Sequence, residues 1–229
     1  MSHNLLTKDK IDLYLKNFAK ELKKETKKVD IDIIIVGGGA VVLNYGFRGM
    51  TQDLDIIKPN ELLNIKNAAN KIADKFDLPL TWLNDDFKTT ASYSTNLPKY
   101  AKYYRTFSNH IHFYTIKDEY LIAMKLISAR KYKFDYSDIV GIIKENEFIT
   151  KESIYDAVYN LYGENVKIDK DIEIFLDKIL GMPKEELDSF YTVTTSFEEK
   201  NKRYVLEKAT DSNKTTSFNN RDDYDDYEL

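Results

Sequence analysis

One apolar run that ends in three consecutive glycines constrains the fold more than any other stretch. Residues 33–36 are Ile, Ile, Ile and Val, and residues 37–39 are all glycine. A run of β-branched residues bounded by glycines is typical of a buried strand. Glycines directly after it predict a tight turn whose backbone approaches another group closely. Residues 40–45 then predict a short helix, whose free N–H groups would point at the glycine turn and favour phosphate there.

Two aspartates follow at the spacing of a strand. Asp53 and Asp55 flank Leu54, so on a strand the two carboxylates share one face while Leu54 and Ile56 share the other. Neighbouring carboxylates repel each other, and a divalent cation relieves that cost. Mg²⁺ is commonly held by one or two carboxylates together with substrate phosphates. The stretch therefore predicts a metal site beside a phosphate-binding turn.

This arrangement resembles the nucleotidyltransferase superfamily, in which an apolar strand, two small residues, a short helix and an Asp-x-Asp strand follow one another. Within that superfamily the chain resembles the bacterial AbiEii-type toxin nucleotidyltransferases and their relatives, on Gly37, Gly38, Ala40, Arg48, Thr51, Asp53 and Asp55. A second block resembles the same relatives through Lys125 and Arg130 on one helix, and Asp135 and Asp138 after it. Phe134 stands where those relatives often have lysine. The likeness covers about residues 30–145.

The resemblance implies an α/β (α+β) nucleotidyltransferase fold, a small mixed sheet flanked by helices, with a helical C-terminal region. It implies that Mg²⁺, or Mn²⁺, is held by Asp53 and Asp55 and that an NTP is the substrate. The catalytic residues would be Asp53, Asp55, Lys125 and Asp135. The nucleotide would be bound by Gly37, Gly38, Arg48, Thr51, Lys125 and Arg130.

The same resemblance implies transfer of an NMP to a macromolecular acceptor, tRNA or protein. The setting would be a toxin–antitoxin or phage-defence system, with a cognate antitoxin as a partner. One alternative is a small-molecule nucleotidyltransferase of the antibiotic-modifying type. Another is a non-catalytic antitoxin or binding protein with the same fold, whose hallmark would be loss of a metal carboxylate.

Several of these residues have a plainer interpretation. The glycine triplet is also compatible with a dinucleotide-binding turn, although Val42 occupies the third small-residue position of that fingerprint. Lys125 on an apolar helix could extend to solvent, and Arg130, Asp135 and Asp138 could form a structural salt-bridge network. A third metal carboxylate could be Asp85, Asp86 or Asp135, and residue order does not choose between them.

The remaining elements follow from periodicity and capping signals. We predict strands at 100–107 and 111–116. We predict helices at 8–27, 61–76 after an Asn60 cap, 119–131 after an Asp118 cap, 136–144, 151–162 after a Thr150 cap, 169–180, 184–190 and 197–209. The predicted organisation is a core with an N-terminal helix over 1–148, a helical region over 149–210, and an acidic, disordered tail over 211–229.

Composition narrows the class of protein. The chain has no cysteine, which excludes disulfides and thiol nucleophiles. The net charge is −4, and residues 221–229 carry five acids and one arginine, so residues 1–220 sum to zero. Because residues 1–220 have no net charge, the sequence predicts no overall basic surface for binding nucleic acid. It does not exclude a local basic patch. With no leader-like or membrane-spanning apolar run, we expect a cytoplasmic protein without membrane contact.

Overall fold

The fold is a mixed sheet with helices on both faces. The computed structural model describes residues 5–26, 29–58 and 64–212. Within them, five strands form one sheet in the order β3-β2-β1-β5-β4. The strands are β1 (Ile31–Val36), β2 (Leu54–Ile57), β3 (Leu83–Asn84), β4 (Ala101–Phe107) and β5 (Ile111–Ile116). The helices are α1 (Lys8–Thr26), α2 (Gly37–Asn44), α3 (Lys66–Phe76), α4 (Asp118–Ser128), α5 (Asp135–Glu145), α6 (Lys151–Tyr162), α7 (Lys170–Leu180) and α8 (Lys184–Ser212). The expected mixed sheet flanked by helices, with a helical C-terminal region, is confirmed.

Strand β1 lies at the centre of the sheet. It pairs in parallel with β5 and antiparallel with β2, and β4 and β5 form a hairpin. Ile33 and Ile35 belong to the apolar cluster on one face of the sheet, while Ile34 and Val36 belong to the cluster on the other. A strand that is buried on both faces needs apolar side chains at consecutive positions. This accounts for the apolar run in β1.

The first apolar cluster packs α1 and α3 on one face of the sheet. Residues of α1 at helical spacing, among them Ile11, Leu15 and Phe18, are fully buried there. Trp82 lies in the same cluster and donates its indole N–H to the carbonyl oxygen of Ala69 at 3.0 Å. The predicted Asn60 cap lies outside the described residues, and α3 begins at Lys66.

The second apolar cluster joins the other face of the sheet to α4 and to the helices that follow. It includes Val36 of β1, Leu121 of α4, Ile154 of α6 and Leu176 of α7. The cluster is continuous across residue 148, and the predicted division of the chain there stays a prediction. Within the described residues, no helix is long and apolar enough to cross a membrane.

Several boundaries differ from those expected from the sequence. Helix α2 begins at Gly37, so the glycines form its first turn. Strand β2 begins at Leu54, and Asp53 therefore precedes it. Asp118 lies in the first turn of α4, whose cap position is Lys117. The Thr150 cap of α6 is confirmed, with a reciprocal bond from Ser153.

Helix α8 is continuous from Lys184 to Ser212, where the sequence predicted two segments. The β-branched residues 192–195 have weak helix propensity, but tertiary packing maintains the helix across them. Tyr191, Thr194 and Glu198 recur at helical spacing, and the last two are buried. The predicted tail, apart from residues 211 and 212 at the end of α8, lies outside the described residues.

Candidate active site

The glycines at the start of α2 bring its backbone against the side chains singled out by the sequence. Gly37 has φ +60°, and a Cβ there would lie 3.3 Å from Oδ2 of Asp55. A Cβ at Gly38 would lie 2.8 Å from Nη2 of Arg48 and 3.0 Å from Oγ1 of Thr51. The expected close backbone approach is confirmed, and its neighbours are three of the residues that carry the resemblance.

Asp55 is a partly buried carboxylate beside that turn. It pairs with Val36 in the β1–β2 register. Burial, and after it the nearby charge of Asp53, raise the pKa of Asp55 to about 6, against Arg130, Lys125 and the Asn84 side chain, which lower it. Asp53 itself is exposed. Within the described residues neither acid forms an ion pair, so their mutual repulsion is only partly offset.

Behind these acids lies a buried network of cations and carboxylates. Lys125 is only 4% exposed, and its Nζ lies 2.8 Å from Oδ1 of Asp135 and 2.8 Å from Oδ2 of Asp138. Arg130 donates from Nε to Oδ2 of Asp135 at 2.9 Å. Arg48 donates from Nη1 to Oδ2 of Asp138. The salt-bridge network that the sequence left open is thus formed, and its five members carry three positive and two negative charges.

The pKa directions follow from this pairing. Burial alone would lower the pKa of Lys125, but Asp135 and Asp138 outweigh it and raise that pKa. Burial alone would raise the pKa of Asp135, but Lys125 and Arg130 outweigh it and lower that pKa. Both groups are therefore charged at neutral pH. Lys125 does not extend to solvent; its expected contact with a nucleotide phosphate stays a prediction.

The three candidates for a third carboxylate differ in their partners. Asp85 pairs with Lys58 at 2.8 Å, and Asp135 has both carboxylate oxygens bound by cations. Asp86 lines the cleft that contains Asp53 and Asp55. No set of three His, Cys, Asp or Glu residues in the described part of the chain could hold a metal. A catalytic role for Asp135 stays a prediction, and the arrangement shown gives it the role of holding Lys125 and Arg130.

Helix α8 contributes residues that the sequence did not single out. Glu198 is 1% exposed, and its two carboxylate oxygens accept the backbone N–H groups of Tyr136 at 2.9 Å and Ser137 at 3.1 Å. An acid at this position satisfies free N–H groups in the first turn of α5 and complements the helix dipole. Burial raises the pKa of Glu198 to about 7, and the bonds from Ser137 and the backbone oppose that rise.

Two more residues of α8 contact the segment between α4 and α5. Asn201 donates its side-chain N–H to the carbonyl oxygen of Lys131 at 3.1 Å. Nζ of Lys202 lies 5.5 Å from the centroid of the Phe134 ring. Glu198, Asn201 and Lys202 are spaced to share one helix face. That spacing was visible in the sequence, but nothing local in it indicated which segment the face would contact.

Many of these groups line one cleft of about 700 Å³; Asp135 and Glu198 are not among its lining residues. One side of the cleft comes from the glycine turn and the segment before β2, and another side from α8. The lining includes Gly37, Gly38, Asp53, Asp55, Tyr191 and Lys202. Arg48, Thr51, Lys125 and Arg130 line it as well, so the structure brings the predicted nucleotide-binding residues to one place.

A family model described as a nucleotidyltransferase of unknown function (DUF6036) matches residues 13–173, and the chain belongs to that family. The match covers the glycine turn, both aspartates and the buried network, and it ends before α8. No curated protein and no solved structure matches the chain.

Proposed function

We propose that this member of the DUF6036 nucleotidyltransferases moves an NMP from an NTP to a macromolecular acceptor, tRNA or protein. The observation that carries the proposal is the position of Asp53 and Asp55. Within the described residues these acids have no ion-pair partner, and they share a cleft with the Gly37–Gly38 turn.

The donor set fits Mg²⁺, or Mn²⁺, held by two carboxylates. Asp55 sits against the backbone of Gly37, and burial and the charge of Asp53 raise its pKa, a cost that a bound cation would relieve. Mg²⁺ keeps several water or phosphate ligands and is commonly held by one or two carboxylates, so a third acid is not required. When bound, the metal would supply charge neutralisation to the triphosphate.

The chain's own groups would position the triphosphate. The start of α2 offers free backbone N–H groups, with the Arg48 guanidinium and the Thr51 hydroxyl against Gly38. The buried network carries a net positive charge, and in a desolvated site such fixed charge stabilises developing negative charge strongly. Asp135 and Asp138 hold Lys125 rigidly, which reduces the reorganisation needed during reaction.

In the proposed reaction an acceptor hydroxyl attacks the α-phosphorus of the NTP. A new oxygen–phosphorus bond forms, the bond to the β-phosphate bridge breaks, and pyrophosphate leaves with the electron pair. The hydroxyl proton passes to solvent. The protein's contribution is mostly alignment of the two substrates and charge stabilisation.

The wider setting rests on the resemblance alone. AbiEii-type relatives suggest a cytoplasmic toxin–antitoxin or phage-defence system, with a cognate antitoxin as a partner. The matching family is of unknown function, so acceptor and setting are parts of the proposal.

The test is to incubate the protein with Mg²⁺, each of the four α-labelled NTPs, and either total RNA or cell lysate. We expect label in one macromolecular fraction with the wild type and with Asp74→Asn, an exposed control on α3, but not with Asp53→Asn. Label in the small-molecule fraction would favour a small-molecule acceptor. No labelled product with any NTP in either mixture would contradict the proposal.

A further inference from the structure

The end of the cleft nearest α8 has a positive charge that its own residues do not neutralise. Two cations lie over the ring of Phe134, with Cζ of Arg48 at 5.4 Å and Nζ of Lys202 at 5.5 Å from its centroid. Phe134 has φ +63° and occupies the cap position of α5, directly after the exposed Lys133. Phe134, Lys133 and Lys202 all line the cleft.

The charges of the cleft divide into paired and unpaired groups. Arg48, Lys125 and Arg130 are committed to Asp135 and Asp138. Within the described residues, Lys133 and Lys202 have no ion pair. The acid that offsets Lys202 in part is the exposed Glu199.

Lys202 shows the effect of this imbalance. Its pKa is lowered by burial first, and then by repulsion from Lys133 and Arg48. Lys202 is therefore close enough to Lys133 and to Arg48 to be repelled by both. An anion placed among them would relieve that repulsion, in the same way that a cation would relieve the repulsion between Asp53 and Asp55.

This basic end continues directly from the proposed nucleotide site. The guanidinium group of Arg48 lies against the position of a Cβ on Gly38 and also lies over the Phe134 ring. Lys202 lies on α8, which follows in sequence the residues 13–173 that match the family model. In the proposed function the NTP phosphates bind at Gly37 and Gly38, which leaves this end of the cleft for a second phosphate-bearing molecule.

We propose that Lys133 and Lys202 form a subsite for the phosphate backbone of a single-stranded RNA acceptor, with Lys202 held against the ring of Phe134. Proteins that bind single strands without reading their sequence use a positively charged groove that follows the backbone. The acceptor role rests on the proposed nucleotidyl transfer; the binding of the strand does not.

The binding test uses a fluorescein-labelled single-stranded oligoribonucleotide, without NTP, followed by anisotropy over a range of salt concentrations. Lys133→Gln and Lys202→Gln should each weaken binding several-fold. Each should also reduce the slope of log K against log salt by about 0.7, the value for one phosphate contact on a single strand.

Two variants on α8 serve as matched controls. Lys200→Gln removes the same charge from an exposed residue two positions before Lys202 and should leave binding unchanged. Glu199→Gln removes the acid beside Lys202 and should strengthen binding. Equal weakening by Lys200→Gln and Lys202→Gln would overturn the subsite, as would the absence of binding by the wild type at low salt. Melting temperatures equal to that of the wild type verify that the variants fold.

Kinetics separate this inference from the proposed function. If transfer occurs, Lys202→Gln should raise KM for the oligoribonucleotide and leave KM for the NTP unchanged; a raised KM for the NTP would assign the lysine to the triphosphate and overturn the acceptor subsite. Wild-type protein that binds the strand through Lys133 and Lys202 but transfers nothing would end the proposed function and leave the subsite in place. Asp53→Asn should bind the strand as the wild type does.

Discussion

The two sides of the cleft differ in how they are encoded. The side with the glycine turn and the two aspartates comes from residues 36–55, and its groups meet through one helix and one strand pairing. The side formed by α8 meets the rest of the cleft through contacts such as that of Glu198 with Tyr136, 62 positions apart in sequence. The residues of the first side could be predicted from a local sequence pattern. Those of the second side could not, because contacts between distant parts of the chain bring them to the cleft.

The two sides also differ in charge. Asp53, Asp55 and Asp86 form an acidic part of the cleft lining, and Lys133 and Lys202 form a basic part. Lys125, Arg48 and Arg130 of the paired network line the cleft as well. This polarity suits one site for a metal-bound nucleotide and one for a second anionic substrate, and the variants below probe each part in turn.

The largest effect is expected at the acidic end. Asp53→Asn should reduce nucleotidyl transfer by at least about a hundredfold, because one of two metal carboxylates is lost. Stability of the metal-free protein should be unchanged or slightly higher, since Asp53 raises the pKa of Asp55 by repulsion. Initial rates and urea unfolding measure the two quantities. Activity close to that of the wild type would remove Asp53 from the site.

The buried network should give the largest change in stability. Lys125→Met leaves Asp138 and Asp135 without their shared cation in a site where Lys125 is 4% exposed, which should cost about 3–5 kcal/mol of unfolding free energy. Lys24→Met is the control, since it removes an exposed helix-surface pair with Glu21 and should cost less than about 1 kcal/mol. Equal costs for the two variants in urea denaturation would show that the network is not buried in solution.

Glu198 should make the contact between α8 and α5 dependent on pH. Its folded pKa is raised to about 7 from 4.5, so between these values the folded state binds more protons than the unfolded state, and stability falls as pH rises. A pKa difference of one unit between the folded and unfolded states corresponds to about 1.4 kcal/mol. The unfolding free energy should therefore decrease by about a few kcal/mol between pH 4.5 and pH 7. Asp55, with a pKa raised to about 6, contributes in the same direction.

The variant Glu198→Gln isolates the contribution of Glu198. Glutamine cannot ionise, and it keeps one acceptor oxygen for the first turn of α5. As pH rises to 7, the unfolding free energy of the wild type should therefore fall relative to that of the variant. A difference that stays constant across this range would show that Glu198 has an ordinary pKa in the folded protein.

The features that the sequence predicted correctly depend on short-range contacts. The β-branched run of β1, the glycine contacts and the Thr150 cap depend on neighbours in the chain, and each is confirmed. The burial of Lys125 was not predictable in the same way. A lysine on an apolar helix is equally compatible with solvent exposure, and only the packing of α5 brings Asp135 and Asp138 to its ammonium group.

The errors have the same origin. Helix α8 was expected as two segments; the β-branched residues between them have weak helix propensity, and packing against α5 overrides that local preference. The start of α2 was placed after the glycines, which were expected to form a tight turn, and glycine is a poor helix former. Its close contacts with Asp55, Arg48 and Leu54 favour glycine there despite that cost.

The smallest effect is expected at the C-terminus. A chain that ends at Ser212 keeps all of α8 and loses only residues 213–229, whose composition is polar and acidic. Its melting temperature should equal that of the full chain. A chain that ends at Gly181 loses α8 with Glu198 and should melt at a much lower temperature. A large drop for the first truncation would show that the acidic segment stabilises the body.

The most direct test of the central claim, that Asp53 and Asp55 hold a metal-bound nucleotide, is thermal melting with and without Mg²⁺ and NTP. A ligand that binds only the folded state raises stability by about 2.7 kcal/mol at a hundredfold excess over Kd. We expect such a rise in the wild type, its loss in Asp53→Asn and Asp55→Asn, and no destabilisation of either variant without ligand. Variants that are destabilised without ligand, yet respond to Mg²⁺ and NTP as the wild type does, would contradict the account.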